Sequence, residues 1–253
     1  MKALVVCPTY GRIPYLGRML ASFLSQDYDD KHLVIINDDK NIELCCDYKN
    51  VTIVNINQRL TVGQKRNIGI SIGEYDLILP FDDDDVFLPK RISNNVLKIS
   101  KGFHGYRNIP SYITYDKKFS IGDSPPNCFS FLKTKWFDFK GYQSLIDGSD
   151  DTRIYDQFVG EGKTLIEKNI NDIDFVYNFS GVNYHLSAGA HPKHIENVAY
   201  HQLKVLGMVG KKYYIEPDFD KLKMITDLVD LYTINKTNIN IKFGKDAEIY
   251  VDV

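Results

Sequence analysis

Apolar positions along the first hundred residues come in two spacings. Residues 3–7, 33–37, 51–56 and 75–81 are short continuous runs rich in Val, Ile and Leu. Continuous rather than alternating apolarity marks strands covered on both faces, as in a parallel sheet. Between the first two runs, residues 14–26 place Leu16, Met19, Leu20, Phe23 and Leu24 at helical spacing, with Pro14 in the first turn. Residues 61–72 predict a second helix, with Thr61 as its cap and Val62, Ile68 and Ile72 among its apolar positions. A third helix opens near Pro89 and carries Ile92, Val96, Leu97 and Ile99. The order β-α-β-β-α-β-α predicts an open α/β sheet.

After Ser100 the runs shorten. Residues 102–106, 112–115 and 128–132 are strand candidates, separated by a loop around Ser124-Pro125-Pro126. Helices are expected over residues 151–160, 194–206 and 218–234. Residues 239–243 and 248–251 form a small hairpin pattern around Gly244-Lys245-Asp246. The chain of 253 residues suits one large domain, or one domain with a small C-terminal addition.

A net charge of −2 gives no global attraction to nucleic acid or an acidic membrane, which leaves a local basic patch open. No apolar run reaches the roughly 18–20 residues that cross a bilayer, so no transmembrane segment is expected. The apolar start stops at Pro8-Thr9-Tyr10, too soon for a signal-peptide core, and reads as a first buried strand. Cys7, Cys45, Cys46 and Cys128 show no CxxC pair, which predicts reduced thiols in a cytoplasmic compartment. Usage leaning to Ile, Asn, Lys, Tyr and Asp points to an AT-rich genome, so for a viral source that compartment is the host's cytoplasm.

Candidate chemistry gathers after the runs. Asp82-Asp83-Asp84-Asp85 follows the fourth strand directly, at the edge where open α/β sheets bind ligands. Adjacent carboxylates repel, and a hard divalent ion such as Mg²⁺ or Mn²⁺ is their natural partner. Asp82 and Asp84 can act on one side together. A solvated acidic loop is the plainer alternative. Asp38-Asp39 ends the second strand, where a carboxylate can bind a base or ribose or cap a turn. Lys65 and Arg66 lie near a helix start, a place suited to a diphosphate and equally to an exposed basic turn.

Together these segments resemble the family 2 glycosyltransferases. Val5-Val6-Cys7-Pro8-Thr9-Tyr10-Gly11-Arg12 is similar to the family's first strand and P-T-Y-N-R turn. Ile35-Ile36-Asn37-Asp38-Asp39 matches its V-D-D segment. Residues 63–69, GQKRNIG, resemble G-x-x-x-A-R-N-x-G, with Lys65 in place of Ala. Residues 73–85, GEYDLILPFDDDD, correspond to G-E-Y-I-x-F-L-D-x-D-D. More loosely, Phe139-Lys140-Gly141-Tyr142 resembles the G-G-F segment. Asp150-Asp151 stands for Glu-Asp, and His185 after Asn183-Tyr184 for Y-R-x-H. The resemblance spans residues 3–190.

The resemblance implies a GT-A, Rossmann-like nucleotide-sugar-binding fold with a mostly parallel central sheet. Residues 1–210 would be the glycosyltransferase domain, with 1–100 its nucleotide-binding half and 101–210 its acceptor half. Residues 211–253 would be a helical and hairpin extension. The nucleoside of a donor, a UDP-sugar in the commonest case, would rest on Pro8, Thr9, Tyr10 and Arg12. Asp38 or Asp39 would lie near the base and Asp82 or Asp83 near the ribose. Asp84, with Asp82 and His185, would hold Mn²⁺ or Mg²⁺, and Arg66 or Lys65 would meet phosphate. His191 and His194 are alternatives to His185, and no spacing supports zinc.

Inverting transfer needs a base beside the acceptor hydroxyl. Asp151 is expected in that role with Asp150 as fallback, although both also suit a helix N-terminus near Ser149. Trp136 and Tyr142 are candidate acceptor-side aromatics, and the cluster around Trp136 equally fits a core. The acceptor is open among a glycan, a lipid-linked sugar, a protein side chain and a modified nucleic-acid base. Lys193, Lys204, Lys211 and Lys212 offer either a basic face or a solvated surface. Two rivals remain: a sugar-nucleotide nucleotidyltransferase, for which no Gly-rich loop follows the first strand, and a non-catalytic sugar-nucleotide or glycan-binding domain.

Overall fold

In a computed structural model of the chain, which describes residues 1–115, 118–143, 149–178, 192–243 and 249–251, each of the four apolar runs is a strand. The first half runs β1 (Ala3–Thr9), α1 (Ile13–Leu24), β2 (Lys31–Asn37), β3 (Ile42–Cys45), β4 (Val51–Asn55), α2 (Val62–Ser71), β5 (Leu77–Pro80), β6 (Val86–Phe87) and α3 (Arg91–Ile99). Next come β7 (Gly105–Asn108), β8 (Pro110–Tyr115), β9 (Lys118–Asp123), β10 (Ser130–Leu132), α4 (Lys133–Asp138), α5 (Asp150–Gly160), β11 (Thr164–Glu167) and β12 (Phe175–Asn178). The last part holds α6 (Pro192–Val205), β13 (Lys211–Tyr214), α7 (Phe219–Asn235), β14 (Ile239–Phe243) and β15 (Ile249–Val251).

The main sheet has the order β11-β7-β10-β5-β1-β2-β4. β1 pairs in parallel with β2 and β5, β2 with β4, and β11 with β7, and within the described strands of this sheet only β10 runs against its neighbours. Strand parity sorts the core. Ala3, Val5 and Cys7 face α1 through Leu16, Met19, Leu20 and Phe23. Leu4 and Val6 belong to the opposite cluster, with Ile70 of α2, Trp136 of α4 and Phe158 of α5. Both faces of β1 are thus dry, which is why its sequence is apolar without alternation.

A second sheet, β15-β14-β9-β8-β12-β6, is mostly antiparallel, and β13 pairs in parallel with β3 in a two-stranded ribbon. The expected strand over residues 102–106 begins later, at Gly105, because Gly102 (φ 96°) still turns the chain away from α3. β14 and β15 pair as the expected hairpin, and residues 244–248 between them lie outside the described residues. The C-terminal segment is stitched into both halves: β13 lies beside β3, α7 packs on α1, and β14 extends the sheet edge at β9.

Candidate active site

The carboxyl ends of β1, β2 and β5 lie side by side, so the segments following them meet at one edge of the sheet. Pro8 and Thr9 end β1, Asp38 and Asp39 follow β2, and the four aspartates follow β5.

Counter-charge for the aspartates comes first from the chain itself. Arg12 Nε donates to Asp83 Oδ2 at 3.0 Å, Nη2 pairs with Asp83 Oδ1, and Nη1 reaches Asp84 Oδ2 at 3.1 Å. Thr9 Oγ1 donates to Asp83 Oδ2 at 2.6 Å. Burial pushes the Asp83 carboxyl up, against the pull of Arg12. Asp85 is also pushed well up, by burial and then by the charges of Asp84 and Asp82. The amide of Asn127 donates to Asp82 Oδ2 at 3.0 Å and to Asp85 Oδ2 at 3.2 Å. The backbone N–H of Asn178 donates to Asp85 Oδ1 at 3.0 Å.

Arg66 ties this edge to the second half of the chain. It is 1% exposed, and its Nη2 donates to Asp82 Oδ1 at 2.7 Å while Nη1 pairs with Asp151 Oδ1 at the start of α5. Asp151 keeps 18% of its side chain exposed, and Asp82 keeps 25%. Burial raises the Asp151 carboxyl, with Arg66 opposing. Asp150 points elsewhere: its Oδ2 accepts the Gly63 N–H at 2.7 Å, in the first turn of α2. A Cβ on Gly63 would sit 2.5 Å from Gln143 O and 2.8 Å from Asp150 Oδ2, so only glycine admits this approach.

Lys65, like Arg66, lies on the buried side of α2. Its Nζ donates to Asp38 Oδ1 at 2.8 Å and to Thr9 O at 2.9 Å, which commits it to Asp38 beneath the site. Burial lowers its pKa, with Asp38 opposing. Asp38 also accepts from Arg59 Nη1 at 2.9 and 3.0 Å and from Leu60 N at 2.8 Å. Asp39 differs. Its Oδ1 accepts from Asn41 N at 2.9 Å and from Asn41 Nδ2 at 2.7 Å, while its buried Oδ2 has no hydrogen-bond partner. Burial raises its pKa. The backbone passes close to Oδ2 because residue 11 is glycine: Gly11 takes φ 59°, and a Cβ there would stand 2.8 Å from that oxygen and 2.9 Å from Ile42 Cγ2. Tyr10, the next residue back, has its phenol pushed up to about 12 by burial and then by the Asp39 charge.

Trp136 and Tyr142 are buried. The indole N–H of Trp136 donates to Asn67 Oδ1 at 3.2 Å, and Tyr142 N donates to the same oxygen at 2.8 Å. Neither offers a ring face to solvent, so their surroundings are those of a core. His185 and His191 lie outside the described residues, and His194 falls on α6. Several described side chains at the site carry no sequence motif, among them Arg59, Asn127 and Glu196, the last of which pairs with Arg59 Nε at 3.3 Å.

Among the described residues no group of three or more His, Cys, Asp or Glu is arranged to hold a metal ion. Mg²⁺ is commonly bound by one or two carboxylates, with substrate phosphate and water completing the shell. Asp82 and Asp84 offer hard carboxylate oxygens of that kind, with Asp82 Oδ1 and Oδ2 accepting here from Arg66 and Asn127 and Asp84 Oδ2 from Arg12.

A mostly parallel α/β sheet with carboxylates gathered at its carboxyl edge is the architecture of the GT-A glycosyltransferases. Residues 4–158 match the profile of the family described as glycosyl transferase family 2, and the chain belongs to that family. An uncharacterized glycosyltransferase of Bacillus subtilis (strain 168), YwdF, is 32% identical over 103 residues, 39% of this chain and 38% of the relative. The chain therefore spans well under half of that relative. Among solved structures, S. aureus TarS 1-349 in complex with UDP-GlcNAc superposes with a TM-score of 0.58 at 14% identity, covering 78% of this chain and 64% of that one. The mannosyltransferase PcManGT from Pyrobaculum calidifontis, in complex with GDP-Man and Mn²⁺, gives 0.54 at 13% identity, covering 69% and 56%. At such identities the likeness is one of fold.

Proposed function

We propose that the chain transfers a sugar from a UDP-sugar to an acceptor hydroxyl, with inversion at the anomeric carbon. The observation that carries this reading is the bridge from Asp82 through Arg66 to Asp151, which sets a largely buried carboxylate beside the donor edge. Asp151 takes the proton of the acceptor hydroxyl as its oxygen bonds to the anomeric carbon. The bond from that carbon to the diphosphate breaks with its electron pair on the nucleoside diphosphate. A Mn²⁺ or Mg²⁺ ion on Asp84 and Asp82, with His185 as the resemblance implies, would offset the charge of that leaving group. Arg66 stands between the two reacting ends and orients both carboxylates.

Discrimination of uridine against cytidine follows from Asp39. Its unpartnered Oδ2 is an acceptor, suited to the N3–H of uracil and mismatched to the bare N3 of cytosine. Guanine N1–H has the same sense, and TarS and PcManGT were captured with UDP-GlcNAc and GDP-Man respectively. Tyr10, Thr9, Pro8 and Arg12 would form the nucleoside floor, with Asp83 toward the ribose. The nucleotide half is residues 1–100, the acceptor half 101–210, and 211–253 the extension. The acceptor carries a hydroxyl, on a glycan, a lipid-linked sugar, a protein or a modified base. No helix among the described residues is long and apolar enough to cross a membrane, and Cys7, Cys45, Cys46 and Cys128 are free thiols, which accords with a reducing, cytoplasmic setting.

A thermal-shift panel of UDP-, GDP-, CDP- and dTDP-sugars, each with and without Mn²⁺, tests this. Binding to the folded state adds about 2.7 kcal/mol at a hundredfold excess over Kd. The expected result is a Mn²⁺-dependent shift with UDP-sugars and none with CDP-sugars. Well-folded protein that responds to no nucleotide would overturn the reading.

A further inference from the structure

Arg59 comes from the loop between β4 and α2, outside every motif that carries the family resemblance. Its guanidinium carbon lies 4.0 Å from the centre of the Tyr10 ring, at stacking distance. Its Nη1 donates to both oxygens of Asp38, and its Nε reaches Glu196 Oε1 on α6 at 3.3 Å. Asp38 has counter-charge without it, because Lys65 Nζ pairs with Asp38 at 2.8 Å from a more buried position. The Arg59 side chain is 34% exposed and that of Lys65 is 4%. Arg59 therefore adds two things that Lys65 does not: a cover over Tyr10 and a link to α6.

A planar base and a planar guanidinium use an aromatic face in the same way, so the two cannot share one face of Tyr10. Tyr10 is also one of the groups that the nucleotide-sugar reading gives to the donor's nucleoside, and Asp38 is the chain neighbour of Asp39, which that reading gives to the base. We propose that Arg59 is an exchangeable cap on this platform, stacked on Tyr10 and paired with Asp38 until the nucleoside of the donor displaces it, with Glu196 latching it closed. The inference rests on the nucleotide-sugar reading. Its consequence is a donor affinity reduced by the fraction of molecules that hold the cap in place.

The test measures dissociation constants and association rates for UDP and GDP, with Mn²⁺, in the full chain. Arg59→Ala is expected to tighten UDP about 3- to 10-fold, mainly through faster association. Arg59→Lys keeps a charge for Asp38 but lacks the planar group, and tightens binding in the same sense; it carries the test if the alanine variant folds poorly. Glu196→Gln gives a smaller gain that disappears in the Arg59→Ala background, because the latch acts through Arg59. Weaker or unchanged UDP affinity in folded Arg59 variants overturns the cap, and weaker affinity makes Arg59 a direct contact of the donor. If neither the wild type nor any variant binds a nucleoside diphosphate, the nucleotide-sugar reading itself fails and takes the cap with it.

Discussion

At the scale of single residues, two carboxylates separate by what surrounds them. Asp151 is raised by burial, so the base it supplies is lost as pH falls through a value above the ordinary carboxylate range. The acid limb of kcat should lie correspondingly high. Arg66→Met removes the charge that opposes the shift and should move the limb higher still; a limb that stays in place would detach Arg66 from the base. Asp151→Asn is expected to lower kcat by about 10²–10⁴-fold with UDP affinity kept. Turnover near wild type would return the role to Asp150, whose carboxylate is held by the α2 backbone. Asp39→Asn keeps the contacts with Asn41 on one atom and places an amide donor where Oδ2 stood. A charge-assisted bond of about 1.5–3 kcal/mol would go, costing roughly 10- to 100-fold in UDP affinity and little for CDP, read by titration calorimetry. Asp38, Asp39 and Asp82 to Asp85 were legible in the sequence because they are contiguous and follow strands, whereas Asp150 and Asp151, which open α5, stood out through the family resemblance. Arg59, Asn127 and Glu196 were not, since each reaches the site only through tertiary folding, from a loop, a short turn and a distant helix.

At the scale of elements, α2 shows where pattern reading succeeds and where it fails. Its start is legible: Thr61 Oγ1 accepts the Gln64 N–H at 3.2 Å while Gln64 Oε1 accepts the Thr61 N–H at 2.9 Å, a reciprocal cap. Its buried side is not, because Gly63, Lys65 and Arg66 are buried there where an apolar stripe was expected. A helix that buries cations cannot be recognised from apolar periodicity alone. Close approach at Gly63 sets its seat against Asp150. Gly63→Ala should cost about 1–3 kcal/mol of stability through overpacking, and should lower activity by shifting Arg66. Denaturant unfolding of this variant, beside UDP titration, separates the two effects; wild-type stability would mean that α2 can slide without harm. Long strands such as β1 and β2 announce themselves by continuous apolarity. β6 has two residues, and β13 is the largely exposed Lys211-Lys212-Tyr213-Tyr214, so neither carries a pattern to read.

For the whole molecule, the question is whether residues 211–253 are an appendage or a wall of the fold. The helix over 218–234 was visible in the sequence, but its docking place was not, because the surfaces it packs on, α1 and β9, are far from it in the chain and meet it only through tertiary folding. Leu222, Ile225 and Leu228 of α7 are buried against Ala21 of α1 and Phe119 of β9, and Ile215 joins the cluster beneath the main sheet. Removing four such side chains forfeits about 6–12 kcal/mol of apolar burial as an upper estimate, at 1.5–3 kcal/mol each. Domains are commonly stable by about 5–15 kcal/mol, so the loss is comparable with the whole. A chain ending at residue 210 should therefore unfold without a cooperative transition, or at a much lower Tm by calorimetry. The effect should reach the donor site, because α1 begins immediately after Arg12 and carries Arg18, whose Nη2 donates to Asp84 O at 2.6 Å. A truncated chain that kept both its Tm and its UDP affinity would show that the extension covers the fold without supporting it. A chain that kept its Tm but lost UDP would place the role of α7 in holding α1 against the aspartates rather than in global stability.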